Sequence, residues 1–178
     1  MSIVFPDPNI LLSFNEKVNP APESPENVPP AKNWPVFLFS LILISISDWA
    51  LKVSFVISTS GFGIGNKEDS YQTPIGLHQV CDLIGLDEPI YTRFQDRVAR
   101  GIFQPDTWDA MTDEDMILSR IIRLQGMVPG VNSGPGIDSF DRYIYIHGTH
   151  QENLLGTPAS KGCIRMGNQD IIELCQAI

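Results

Sequence analysis

Positive charge is scarce in this chain. Twelve Lys and Arg stand against 21 Asp and Glu in 178 residues, a net charge of -9. Neutralising a phosphate backbone takes a basic face, so the balance argues against nucleic-acid binding. A carboxylate-bearing substrate could be held only through locally placed Arg or Lys. Cysteine is scarce too: Cys81, Cys163 and Cys175 are an odd number, with no CxxC spacing. A disulfide scaffold is therefore not expected. Stability must come from a core, for which 43% hydrophobic residues in one domain-sized chain suffice. Long apolar runs are lacking. The strongest, WPVFLFSLILISI from Trp34 to Ile46, stops at Ser47-Asp48, too short for a comfortable membrane span. It reads as a buried strand, ahead of the alternative of a displaced signal segment. The first twelve residues hold no Lys or Arg and are interrupted by Pro6 and Pro8, so no ordinary signal peptide is expected there. Membrane contact and oligomeric state stay open at this level.

Proline, by contrast, is concentrated. Eight of the fourteen prolines lie before residue 36. Proline lacks the backbone donor, so this stretch cannot form a helix interior or a sheet centre. Residues 1–36 are expected to be a disordered tail or linker, dispensable for chemistry, and 37–178 the folded domain. From Phe37 the pattern turns β-rich. FLFSLILISISD and LKVSFVISTS alternate around Ser-Asp-Trp-Ala, and a hairpin is the natural expectation. GFGIGNKEDSYQTPIG follows as a glycine-rich loop. It lacks the GK[ST] ending of a phosphate loop and is expected to border a site instead. Residues 86–112 give no clear period. DEDMILSRIIRLQG fits a short helix or a strand equally. RYIYIHG is a strand by alternation, with Ile144 and Ile146 on its apolar face. NQDIIELCQAI is expected to be the closing helix, with Asn168 as N-cap and Ile171, Ile172 and Cys175 turned inward.

The stretch RYIYIHGTHQENLLGTPASKGCIRMGNQD, residues 142–170, carries most of the chemical signal. It delivers His147 and His150 at a strand end, crosses a loop and reaches Cys163 between Gly162 and Gly167. Three readings stand side by side. Zinc could use His147, His150, Cys163 and Cys175, but the spacing puts no histidine pair on one helix face and no cysteine pair nearby. His147 and Cys163 could be core bystanders, since free cysteine behaves as a small hydrophobe. A glycine-flanked cysteine in a polar loop fits better as a nucleophile, activated by an imidazole and with backbone N–H groups free to approach a reacting carbonyl. Arg165 adds positive potential two residues on.

The segment IHGT…SKGCIRMxNxD resembles the catalytic signature of the YkuD-type L,D-transpeptidases, in which a His-Gly pair precedes a Ser/Thr-x-Gly-Cys-x-Arg segment. VSFVISTSGFGIGNKEDSYQTPIGLH looks more loosely like that family's upstream strand and glycine-rich loop, so the likeness covers roughly 41–178. The resemblance implies a mostly β, sandwich-like catalytic domain with a few short helices and no cofactor or metal. It implies Cys163 as nucleophile and His147 as general base, oriented by a carbonyl near Gly148. Ser160 would be a positioning hydroxyl, with an oxyanion hole around Lys161, Gly162 and Cys163. Arg165, Tyr145 and Asn168 would contact substrate. Lys161 stands where many members have a second histidine, and Trp49 where many have Gln. His150 is expected to be a solvated loop residue.

The activity so implied is cysteine acyl transfer on peptidoglycan stem peptides, giving 3-3 cross-links in the cell envelope, with carbapenems acylating the same thiol. The alternatives are a peptide hydrolase using the same thioester and a non-catalytic wall-binding module.

Overall fold

The computed structural model describes residues 10–14, 42–45, 55–110 and 115–178. Nine strands there join one hydrogen-bonded sheet: β1 Ile10–Phe14, β2 Ile42–Ser45, β3 Ile57–Ser58, β4 Gly76–Ile84, β5 Thr92–Gln95, β6 Val98–Ile102, β7 Ile117–Gly126, β8 Tyr145–Gly148 and β9 Ile164–Met166. Helix α1, Asn168–Ala177, closes the chain, and short 3-10 turns lie at Pro105–Ala110 and Glu152–Leu154. The main strand order is β2-β1-β4-β7-β8-β9-β3, with β5 on β7 and β6 on β5. The mostly β class is as the sequence implied.

β7 is the spine. It pairs with β4 on one side and β8 on the other, and most of its residues are buried on both faces. That burial explains why its period was unreadable. A bulge adds to it: Leu118 pairs with Gly148 and Ile121 with His147, leaving Ser119 and Arg120 without partners in β8. Ser119 sits at φ +65. Ser119 and Arg120 are unpaired yet buried, so no single strand period is legible through ILSRIIRLQ.

β8 and β9 run parallel, with Ile146 opposite Ile164 and His147 opposite Arg165. Parallel neighbours need a crossover, here residues 149–163. It returns the chain to the strand that carries His147. Successive side chains alternate across a sheet. Ile146, Ile164 and Met166 therefore join one core with Ile171, Leu174 and Cys175 of α1. Tyr145 and Cys163 face the other way, against Phe94 and Ile121. The two faces of these strands thus meet two separate hydrophobic clusters.

Three expectations need correction. Among the described residues of 37–60, β2 and β3 do not pair with each other as the expected hairpin would have them do. β2 pairs antiparallel with β1, whereas β3 pairs with β9 at the far end of the strand order. Both segments can pair with any suitable edge, and distant partners won over the adjacent one; Trp49 lies outside the described residues. The tail reading fails for residues 10–14, which insert between β2 and β4 in register Leu12 to His78 and Phe14 to Gly76. ILLSF is a proline-free island after Pro8, so its donors are available for a ladder; the rest of 1–36 lies outside the described residues. The N-cap of α1 is Gly167, not Asn168. Its inward residues are Ile171, Leu174 and Cys175, with Ile172 only half-buried.

Candidate active site

His147 stands in β8, 1% exposed. Its Nδ1 lies 2.8 Å from the carbonyl oxygen of Gly148. A carbonyl only accepts, so Nδ1 carries the proton and Nε2 is left as the basic nitrogen. Burial lowers the pKa of this imidazole, against the opposing pull of Asp115 and the Gly148 bond, while Arg165 pushes it lower still. The side chain at rest is a neutral base of defined tautomer.

Cys163 ends the crossover. The loop before it is held by Ser160, whose Oγ donates to the Cys163 carbonyl at 2.6 Å and accepts from the Gly162 N–H at 3.3 Å. Gly162 adopts φ +123; a Cβ there would meet Ile144 Cδ1 at 3.2 Å. Its carbonyl accepts from Thr73 Oγ1 at 3.0 Å, and Thr73 Oγ1 in turn accepts from the Ser60 N–H at 2.9 Å. The Thr-Pro element and the glycine-rich loop are thereby laced to the cysteine turn. Arg142 tightens the same loop, donating to Gly65 and Gln72 carbonyls at 3.1 and 2.7 Å.

The Cys163 thiol is half-buried and directs its S–H toward the Tyr143 carbonyl at 3.7 Å. Burial pushes its pKa up to about 12, with Asp115 adding to the rise and a Tyr145 backbone bond, Arg165 and Arg142 opposing it. The resting pair is thus thiol plus imidazole. Cys81 and Cys175 are also raised by burial, but Cys81 donates to the Arg123 carbonyl and Cys175 packs under α1. Neither shares a face with His147.

Arg165 is held by protein partners. It is 3% exposed, pairs with Asp115 at 2.8 Å and donates to Gln151 Oε1 at 2.7 Å. Two of its three guanidinium nitrogens are thereby taken, and the buried Nε has no hydrogen-bond partner among the described residues. Asn168 likewise departs from the substrate-contact expectation. It is 1% exposed; Oδ1 accepts from Ser119 Oγ at 2.6 Å, and Nδ2 donates to the Thr149 carbonyl and to Glu152 Oε1 at 2.7 Å each. Glu152 also accepts from the Asn168 N–H at 2.7 Å, which places a carboxylate on the first turn of α1, where orphan donors and the helix dipole favour it. Gly148 is required where these elements meet: a Cβ would lie 2.5 Å from Asn168 Oδ1 and 2.7 Å from the Leu118 carbonyl. Tyr145 shares the Cys163 face, and its hydroxyl accepts from Arg97 at 3.0 Å. His150 is not solvated: it is 7% exposed and meets the Phe103 ring edge-on.

Sequence reasoning missed Asp115 and Arg142. Arg142 opens the quoted motif and could have been flagged as a cation beside the strand. Asp115 is one of three acids in DEDM, and nothing local singles it out. A cleft of about 250 Å³ opens beside Tyr143, lined by Glu68, Asp69, Tyr71, Asp141, Arg142 and Lys161 among others. Among the described residues, no group of three or more His, Cys, Asp and Glu is gathered to hold a metal ion, and no helix is long and apolar enough to cross a membrane.

No curated protein sequence matches the chain. The L,D-transpeptidase catalytic domain model matches residues 41–178, a span that takes in His147, the cysteine turn and α1, and the chain belongs to that family.

Proposed function

We propose that the protein is an L,D-transpeptidase of the cell envelope, with Cys163 as nucleophile and His147 as its base. The observation that carries this reading is the Nδ1 bond of His147 to Gly148, which leaves Nε2 unprotonated on the sheet face that also carries Cys163.

With the thiol pKa near 12, free thiolate at pH 7 costs about 7 kcal/mol. Proton transfer must therefore accompany attack. Nε2 takes the S–H proton as sulfur adds to the carbonyl of the third stem residue. The oxyanion needs backbone donors. The Gly162 N–H is already turned to Ser160 Oγ, so the Cys163 and Lys161 N–H groups are the better candidates. Gly162 and Ser160 then act by shaping the turn. His147 returns its proton to the departing D-alanine amine, leaving a thioester on Cys163. An acceptor amine next gives its proton to His147 and displaces sulfur, which is reprotonated, and a 3-3 cross-link forms. With two Arg165 nitrogens held by protein partners, our reading takes the exposed Lys161 on the cleft wall as the cation for a donor carboxylate.

Incubating the protein with disaccharide-tetrapeptide tests this reading by mass spectrometry. Cross-linked dimers with loss of D-alanine are expected. Free tripeptide stems alone would assign it as a hydrolase, and unchanged substrate would leave only a wall-binding role.

A further inference from the structure

Asp115 lies just before β7, at the end of that strand where Leu118 pairs with Gly148. Its Oδ2 accepts from Arg165 at 2.8 Å, and that pair is largely shielded, with the arginine side chain 4% and the aspartate 22% exposed. Arg165 in turn stands directly opposite His147 across the parallel ladder. The other carboxylate oxygen, Oδ1, is buried and has no hydrogen-bond partner among the described residues. A buried acceptor left unmet costs about 1–3 kcal/mol, so its retention beside a proton-transfer pair calls for a use.

We propose that Asp115 is a positioning residue of this site: it fixes Arg165 through Oδ2 and serves, through its charge, as the counter-ion of His147 while that ring carries the proton destined for the leaving amine. The inference rests on the catalytic reading above. The reaction moves the S–H proton onto the ring, which becomes positive, and builds negative charge on the oxyanion. The charged groups facing this chemistry are Asp115 and Arg165 on His147, with Arg142 acting in addition on Cys163. The hydroxyl of Tyr145 on the same face is bonded to Arg97. Arg120 of β7 is turned away, toward the Glu88 and Ser119 carbonyls. Asp115 is thus the one acid among these groups. Its charge raises the His147 pKa against burial, which lowers it most, and against Arg165.

The test is Asp115→Asn in the full chain, beside Asp115→Glu. The His147 ring is titrated by NMR, its signal assigned by loss in His147→Gln. Alkylation of Cys163 by iodoacetamide is followed against pH and mapped by mass. Removing the negative charge lowers both titrations, each by about half a pH unit or more, and Asp115→Glu restores them. With tetrapeptide substrate, kcat should fall about tenfold. If Asp115→Asn does not fold, Asp115→Asn combined with Arg165→Gln, compared with Arg165→Gln alone, must give the same downward shift. Titration curves that overlay the parent's overturn the proposal, whatever the melting temperature does. Neither titration uses substrate, so a protein that fails to cross-link stems would sink the proposed function and leave this question decided separately.

Discussion

His147 and Arg165 face each other across the pairing of β8 and β9, and each is held by a different backbone or side-chain partner: Gly148 for the imidazole, Asp115 and Gln151 for the guanidinium. The imidazole is therefore set between a fixed acceptor and a fixed ion pair. Preorganisation of this kind costs the reaction no reorientation.

Cys163→Ala and His147→Ala are each expected to abolish thioester formation while the protein stays folded. Intact-mass spectra with a carbapenem should show one adduct, on the peptide carrying Cys163. Because burial raises the thiol to about 12, simple alkylation should be slow at neutral pH and climb steeply above pH 9. Rapid alkylation of Cys163 at pH 7 would contradict a resting thiol.

Arg165 and Lys161 are expected to separate cleanly. Arg165→Ala strands Asp115 and should cost about 3 kcal/mol of stability, near the low end for a buried pair because the aspartate keeps some water. Arg165→Lys keeps the charge but loses one of two directed contacts, so both melting temperature and kcat/KM should fall. Lys161→Ala should leave the melting temperature alone and raise KM roughly three- to tenfold. An unchanged KM would remove Lys161 from the donor site.

Gly162→Ala is expected to destabilise the cysteine turn by about 1–3 kcal/mol. The cause is local: φ +123 and a Cβ 3.2 Å from Ile144. Urea unfolding of Gly162→Ala and of Gly63→Ala gives the contrast. Gly63 also has positive φ, but a Cβ there would meet nothing within 4 Å, so its penalty should be conformational only and smaller.

His78 should make the protein acid-sensitive. It is fully buried, bonded to the Gly76 carbonyl and Ser139 Oγ, and burial lowers its pKa to about 4. Between pH 6.5 and 4 the unfolded chain binds a proton that the folded one refuses. Stability is thus full above 6.5 and falls as pH drops toward 4, by up to about 3 kcal/mol. His78→Gln should flatten this part of the stability curve; an unaltered slope would mean another group is responsible.

Deleting residues 1–15 is expected to lower the melting temperature and promote association. β1 covers an edge of β4 and carries β2, and an uncovered edge is a template for foreign strands. A truncated chain as stable and monomeric as the parent would return these residues to the status of a tail.

The sequence alone determined the chemistry-bearing letters. His147, Gly148, Ser160, Gly162, Cys163 and Arg165 lie within one short stretch, where local turn demands and nucleophile chemistry restrict residue choice. It also determined the closing helix and the strand through Ile146, although that strand starts only at Tyr145, after a turn in which Tyr143 has φ 57. What only the tertiary structure decided depends on distant partners. β1 and β2 pair by the availability of edges, which no local pattern encodes. β7 hid its identity because both faces are buried and a bulge at Ser119 breaks its period. Asn168 reads as a cap by letter, yet burial against Ser119, Thr149 and Glu152 turns its amide inward. Asp115 gained its place at the site only when β7, β8 and β9 came together, since an acid among acids becomes particular through the charge it is folded against.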